Sequence, residues 1–561
     1  LWGWFSLLLV QGSPSWAQQP VDANEFQQAV EAGEFGPAFE MAAGANGADR
    51  DAFLGALAQA QARAGARRAA AATASMIDGG RARAAALGET REQPLGGQGG
   101  GVQPDFESLI ELIKETITKE PGWTDDGGTG AIREFPGGVY VDAEGVLQRT
   151  AADSDGGLAR VRAAAAAIGS NRQARIPSPL RKVSLPRLER AIQVRLALGQ
   201  PLDQEMLVLA GLNKIQYVLV YPETGDVVLA GPAGDWAEDQ EGRLLDPQSR
   251  RPVLRLDDLL VLLRHTYQGQ GSVFGCTLEP TQQGLAAAQQ YIKQTTARPL
   301  KPAQRDAWLE EIRRRVGLQK AAVFGIDPRT RVAQILLEAD YRMKLVGLGL
   351  EPSVLEVPSY LELVVAERTA SPMSVLRWWF TLNYDAIIAS RNQDAYELRG
   401  QGVKLLSENE LLTATGQRVH TGESDVLNQE FARRFTKHFA SLAAKYPIYA
   451  ELQNLFDLAL AASLIRTRDL PGQVGWELTS FLNADELPTA QGPLPQAVDT
   501  VMNYKIVGRT RIVAAVSGGV QVDTRSLVAP ESIQIEGTGR LNSERLRAAP
   551  EQLPHDRWWW D

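Results

Sequence analysis

The residues of this chain that could do chemistry are few and scattered. Its four histidines, His265, His420, His438 and His555, are nowhere closer than 18 positions, so none forms the His-Glu-x-x-His pair that holds zinc on one helix face. His438 reads as a solvated residue on the polar side of its helix, and His265 as a helix-terminal histidine favoured by the dipole. The lone Cys276 sits in the strand-like run 272–278 without a histidine nearby, so a buried and inert thiol is expected. No Gly-x-Ser-x-Gly elbow occurs, and Gly269-Gln270-Gly271 and Gly400-Gln401-Gly402 lack the third glycine of a dinucleotide fingerprint. The sequence predicts no metal and no cofactor.

Carboxylates are the other catalytic option. Asn454 and Asp457 stand three apart on an apolar stretch, so a helix places them on one face. A carboxyl beside an apolar core gains proton affinity, which suits acid–base work. The competing reading is a hydrogen-bonded structural pair. Asp385 follows the run Arg377-Trp378-Trp379, and a glycan site combines such aromatics with two carboxylates. Trp378, Trp379 and Arg377 are therefore candidate binding residues, with core and sheet-edge packing as the alternative.

Periodicity supplies the elements that must carry these groups. Residues 215–221 and 227–230 read as strands joined by Pro222-Glu223-Thr224-Gly225. Asp257 or Asp258 caps a Leu-rich helix, and Ala321 to Ile326 reads as a buried strand. In RVAQILLEADYRMKLVG, Glu338 precedes Arg342 and Asp340 precedes Lys344 by four, the spacing of surface ion pairs. Short runs between Leu376 and Leu406 predict a meander. Leu427, Phe431, Phe435, Phe439, Leu442 and Tyr446 form one apolar stripe, and Pro447 opens a second helix, giving an antiparallel helical hairpin over 426–468. Residues 498–535 read as edge strands. The run Trp558-Trp559-Trp560 must dock, either on its own domain or on a partner.

Composition divides the 561 residues. The first 17 read as a signal peptide, with an apolar run and a Ser-x-Ala site cleaved before Gln18. An Ala-rich helical region follows at 22–90, a Gly-rich linker at 91–104, and a small α/β module at 105–150. A basic Ala-rich linker spans 151–182, the main α+β domain 183–535, and a tail 536–561. The fold class is thus multi-domain α+β. Between Gly157 and Arg195 nine basic residues face the single acid Glu189. There Arg172, Arg175, Arg181 and Lys182 are candidate contacts for an anionic polymer or surface, the alternative being a solvated linker. The net charge of −9 argues against nucleic acid as partner. No run after the signal predicts a transmembrane span, and the oligomeric state stays open.

The segments GLNKIQYVLVYPETGDVVLAGPAGDW, RPVLRLDDLLVLLR, LEADYRMKLVGLGLEP, RWWF, GQGVKLLSENELL and FARRFTKHFASLAAKYPIYAELQNLFDLALAASLI resemble a family of large exported bacterial proteins, mainly planctomycete, defined only by a domain of unknown function. That resemblance covers about 183–535 and implies an extracytoplasmic setting, with no catalytic residues to transfer. Residues 105–145 resemble the small α/β modules of secretins. The sequence thus predicts an exported, non-catalytic binding component, in contact with an envelope protein or an anionic polymer. An envelope hydrolase using carboxylates, or an accessory of a secretion assembly, are the alternatives.

Overall fold

Alanine at helix-contact positions builds the first of two units, residues 1–95 with 193–201. The structure, a computed structural model, describes residues 23–32, 35–63, 67–89, 131–135, 138–142, 172–239, 241–269, 273–295, 304–367, 373–413, 417–507, 510–550, 553–554 and 556–561. In this unit the helices Ala23–Ala32, Phe35–Gly44, Gly47–Arg63, Arg67–Ser75 and Gly80–Glu89 bury Ala38, Ala42, Ala58, Ala71 and Ala74 beside Leu54, Leu57 and Ile77. Side chains this small let backbones approach closely, so short helices of modest apolar content still share a core. Asp51 closes one turn by accepting the backbone N–H groups of Asp78 and Gly79 at 2.9 and 2.8 Å.

The signal run, the Gly-rich linker and the helix expected after Asp105 lie outside the described residues. Of the small module, the strands Ala131–Phe135 and Gly138–Asp142 form an antiparallel pair.

The second unit, residues 96–192 and 202–561, is built on a sheet of 13 strands among the described residues. Its main path runs Ala497–Asp499, Leu318–Phe324, Val273–Pro280, Thr510–Asp523, Met373–Ala389, Ala395–Leu412, Tyr217–Tyr221, Asp226–Ala233, Ser178–Ser184, Trp559–Trp560. All neighbours on this path are antiparallel except Thr510–Asp523 beside Met373–Ala389. The mixed α+β class follows.

Several elements depart from expectation for legible reasons. The expected meander is one long hairpin, Met373–Ala389 against Ala395–Leu412. Register shifts at Asn383, Tyr384 and Ala386 absorb the polar residues that read as breaks. Thr510–Asp523 is an interior strand, not an edge. It carries Gly518-Gly519 where a Cβ would meet the Trp378 carbonyl oxygen at 1.6 Å and that of Cys276 at 1.9 Å. The strand Leu318–Phe324 is half-exposed rather than buried, with Phe324 38% accessible. The basic linker ends early, because Ser178–Ser184 is a paired strand. The tail docks on its own unit: Trp559 and Trp560 pair with Val183 and Lys182.

One sheet face is sealed by helices. The expected first hairpin helix is broken at His438 into Val426–Lys437 and Phe439–Lys445, so that histidine stands at a joint. The apolar stripe nevertheless holds, since Phe431, Phe435, Phe439 and Leu442 are buried. Phe380 meets Phe435 at 5.7 Å and Tyr449 at 6.0 Å between ring centroids. Helix Pro447–Thr467 is long and apolar enough to cross a membrane, but 94% of its apolar window is buried in the protein, which is core-helix behaviour.

Candidate functional site

Apolar packing around helix Pro447–Thr467 places Asp457 where water cannot reach it. The residue is 1% exposed. Its Oδ1 accepts the Tyr384 hydroxyl at 2.5 Å, and its Oδ2 accepts the Ile215 N–H at 3.3 Å. Burial raises its pKa to about 6, against the opposing effect of the Tyr384 hydrogen bond and of Lys214. Asn454 is not its partner: that amide donates to the Pro252 carbonyl at 2.9 Å. Asp385 is exposed at the strand bulge beside Tyr384. The three candidates are therefore not one catalytic constellation. Tyr384, which sequence reasoning missed, is the group that Asp457 meets, and only the tertiary fold brings it there.

Sequence reasoning also missed a buried ionic network. Arg243, 1% exposed in its side chain, contacts Glu241, Glu338 and Glu451, while Arg331 bridges Glu451 and Asp258. It ties the helices Leu256–Gln268, Arg331–Gly347 and Pro447–Thr467 to one loop. Three expectations are corrected here. Asp258 is no cap, because the helix starts after Arg255 without a side-chain cap; burial raises its carboxyl against the pull of Arg331. Glu338 pairs with Arg243 rather than Arg342, whose partner is Glu351 at 3.1 Å. The Asp340–Lys344 pair, at 2.7 Å, is fully buried and not at the surface. Spacing of four fixed that contact, but the face it lies on was set by the sheet above it.

The Trp-Trp run divides by strand alternation. Trp378 is in the core, its Nε1 donating to Asn428 at 2.6 Å and its ring 4.4 Å from that of Phe431. Trp379 lies on the opposite face, half-buried. There a transverse row runs Ala322, Thr277, Gly519, Trp379, Leu406 across five strands. Arg377 lies over the Trp379 ring at 4.5 Å and pairs with Glu408 at 3.2 Å. Arg418 and His420 meet Glu410 beside them, each at 3.2 Å.

The basic candidates are spent inside the fold, with one exception. Arg175 donates to Asp235, the Trp236 carbonyl and Gln204. Arg181 has no exposure and holds both carboxylate oxygens of Asp561 at 2.8 and 2.9 Å. Lys182 is buried, and burial lowers its pKa. Only Arg172 is exposed. A continuous basic patch is thus not formed by these four.

A cavity of about 300 Å³ opens where the strand Thr510–Asp523 ends, lined by His265, Thr266, Phe274, Ala459, Ser463, Arg466, Thr467, Thr524, Arg525 and Val528. The Gly325 carbonyl, 2.6 Å from His265 Nδ1, can only accept, so Nδ1 carries the proton. Burial lowers the imidazole pKa, opposed by that hydrogen bond, so the ring is neutral rather than a dipole-favoured cation. Its Nε2 is buried without a hydrogen-bond partner. Ser463 and Thr524 hydroxyls meet at 2.7 Å. Cys276, also in this unit, is buried, and burial pushes its thiol pKa well up, which makes it unreactive. Among the described residues no three His, Cys, Asp or Glu side chains are grouped to hold a metal ion.

Comparisons with curated proteins and with solved structures return no match. The family match covers a stretch that includes Arg331 and Glu338 of the ionic network and the Asp340–Lys344 pair. Residues 276–360 match the model of a family described as Protein of unknown function (DUF1598), and that stretch carries the family-level likeness of this chain.

Proposed function

We propose that the chain is an exported, non-catalytic binding component of the cell envelope or its surroundings, and that the sheet face around Trp379 is its contact surface. The observation that supports this is the stacking of half-buried Arg377 on half-buried Trp379, anchored by buried Glu408, on the side of the sheet opposite Trp378 and beyond the part where helices Gln282–Thr295 and Arg305–Val316 cover Val513 and Ala515. Aromatic and arginine side chains on a shape-fixed surface are the residues that dominate recognition. The strands hold them rigidly, so little conformational entropy is lost on contact.

Co-sedimentation of the purified chain with insoluble cell-wall polysaccharide tests the reading. Trp379→Ala is expected to weaken retention while the thermal transition stays near that of the parent. Retention unchanged in that variant overturns the sheet face as the contact. Turnover of the polysaccharide or of its peptides by the purified chain replaces binding with hydrolysis. Export has its own readout, since the mature protein is expected to begin at Gln18.

A further inference from the structure

The cavity beside His265 is open to a ligand, and nothing in it depends on the sheet face. Arg525 is committed to Asp523, with contacts at 2.9 and 2.6 Å. Arg466 is different. It donates to the Thr266 carbonyl and lies 5.9 Å from the Tyr267 ring centroid, and among the described residues no carboxylate pairs with it. The cavity therefore presents one exposed guanidinium with no ion-pair partner among the described residues.

We propose that this cavity binds the carboxylate of a small hydroxylated acid, with the Arg466 guanidinium as the anion-binding fork. Charge selects the class. Two helices, Leu256–Gln268 and Pro447–Thr467, end at the cavity. Each C-terminus adds roughly half a negative charge. Those two termini together offset about the whole charge of the exposed Arg466, so the cavity disfavours a doubly charged phosphate more than a singly charged carboxylate, which the guanidinium holds by paired hydrogen bonds rather than by net charge. Geometry selects the same class, because a planar guanidinium matches a planar carboxylate with two parallel hydrogen bonds.

The hydroxyl requirement comes from the remaining wall. Ser463 and Thr524 bond to each other, and only one of them can donate in that contact. The other keeps an uncommitted O–H for a ligand oxygen. Phe274, Ala459 and Val528 give the wall its apolar part, and about 300 Å³ is the small end of the range for small-molecule sites.

Calorimetric titration of the full chain with sodium gluconate is the test, beside sorbitol, which lacks the carboxylate, and inorganic phosphate. Saturable gluconate binding is expected, at least about tenfold tighter than either control, as loss of a charge-assisted bidentate contact implies. Arg466→Lys keeps the charge but not the fork and is expected to weaken gluconate by about tenfold, with the melting transition and circular dichroism unchanged. Trp379→Ala is expected to leave gluconate binding intact, which separates this site from the sheet face. Absence of saturable gluconate binding, equal or tighter phosphate binding, or affinity indifferent to Arg466→Lys each overturns the proposal. Should Arg466→Lys shift the melting transition, Ser463→Ala provides the second variant: it is expected to weaken gluconate, and unchanged affinity there overturns the assignment.

Discussion

Asp457 and His265 are both pushed from ordinary proton affinity by burial, one upward and one downward, yet they live in opposite surroundings. Both oxygens of Asp457 are engaged, by Tyr384 and by the Ile215 N–H, and the residue is 1% exposed. One nitrogen of His265 is engaged and the other is not, and the ring lines an open cavity. A shifted proton affinity by itself reports only that water has been removed. Access to a ligand, and bonding capacity left over for it, distinguish a working site from a structural one. By that standard Asp457 belongs with the interior, while His265 stands at the border of the open cavity, its ring on the wall and its free nitrogen turned away from water.

The interior side of the comparison breaks most visibly at Glu451. Its two oxygens hold Arg243 and Arg331, and its side chain is 2% exposed. Glu451→Ala takes a buried carboxylate from both guanidiniums, leaving Arg243 with Glu241 and Glu338 and Arg331 with Asp258, and is expected to cost about 3 kcal/mol, read by urea denaturation. A cost below about 1 kcal/mol would show that the network is solvated and that this interior is not sealed.

Asp457 sharpens the contrast through pH. An unfolded aspartate releases its proton near pH 3.8, whereas in the fold Asp457 keeps it to about 6. The folded state then binds more protons between those values, so stability falls as pH rises through the window and the loss is complete above it. Two pH units correspond to about 3 kcal/mol. Asp457→Asn is expected to remove that slope. Persistence of the slope in the variant would assign it to another group.

These two groups also show where sequence reasoning reaches and where it stops. The apolar stripe of Phe431, Phe435 and Phe439 is local, repeating within one helix period, and the structure buries all three. The Asp340–Lys344 contact is equally local, yet its burial depends on the strand Val273–Pro280, whose Leu278 carbonyl Lys344 also meets. Asp457 was visible as a carboxyl on an apolar face, but its partner Tyr384 comes from a strand bulge 73 residues away. The contacts of Glu451 with Arg331 and Arg243 join residues 120 and 208 positions apart, beyond any periodicity. Polar residues at Asn383 to Asp385 and the glycines facing them looked like chain breaks because a bulge and a turn use the same residue types. The cavity at His265 gathers side chains from three helices and a strand, so no sequence motif announces it.

His265 is expected to act on stability with the opposite pH sense from Asp457. Burial lowers its folded affinity below the ordinary value of 6.5, so the unfolded chain binds the proton more readily. Stability contributed by the neutral ring is complete above that value and is lost as pH falls. His265→Gln is expected to flatten the acid limb of the melting profile by less than Asp457→Asn flattens its own window, because the ring is only half-buried. An acid limb unchanged in His265→Gln would return the ring to the ordinary solvated class and remove the symmetry between the two sites.

The smallest effect is expected at Ser463, and its smallness is the point. Its hydroxyl contacts Thr524 at 2.7 Å in a half-buried position. Removing it leaves the Thr524 hydroxyl facing a cavity wide enough for water, so the desolvation cost that burdens an orphaned interior group does not arise. Ser463→Ala should therefore change stability by less than about 1 kcal/mol, the ordinary net value of one exposed hydrogen bond. The same hydroxyl pair is a donor for any ligand in the cavity, so ligand affinity should fall where stability does not. A stability loss near that of Glu451→Ala would place Ser463 with the packed interior, and the division between a sealed core and a chemically open cavity would have to be redrawn around it.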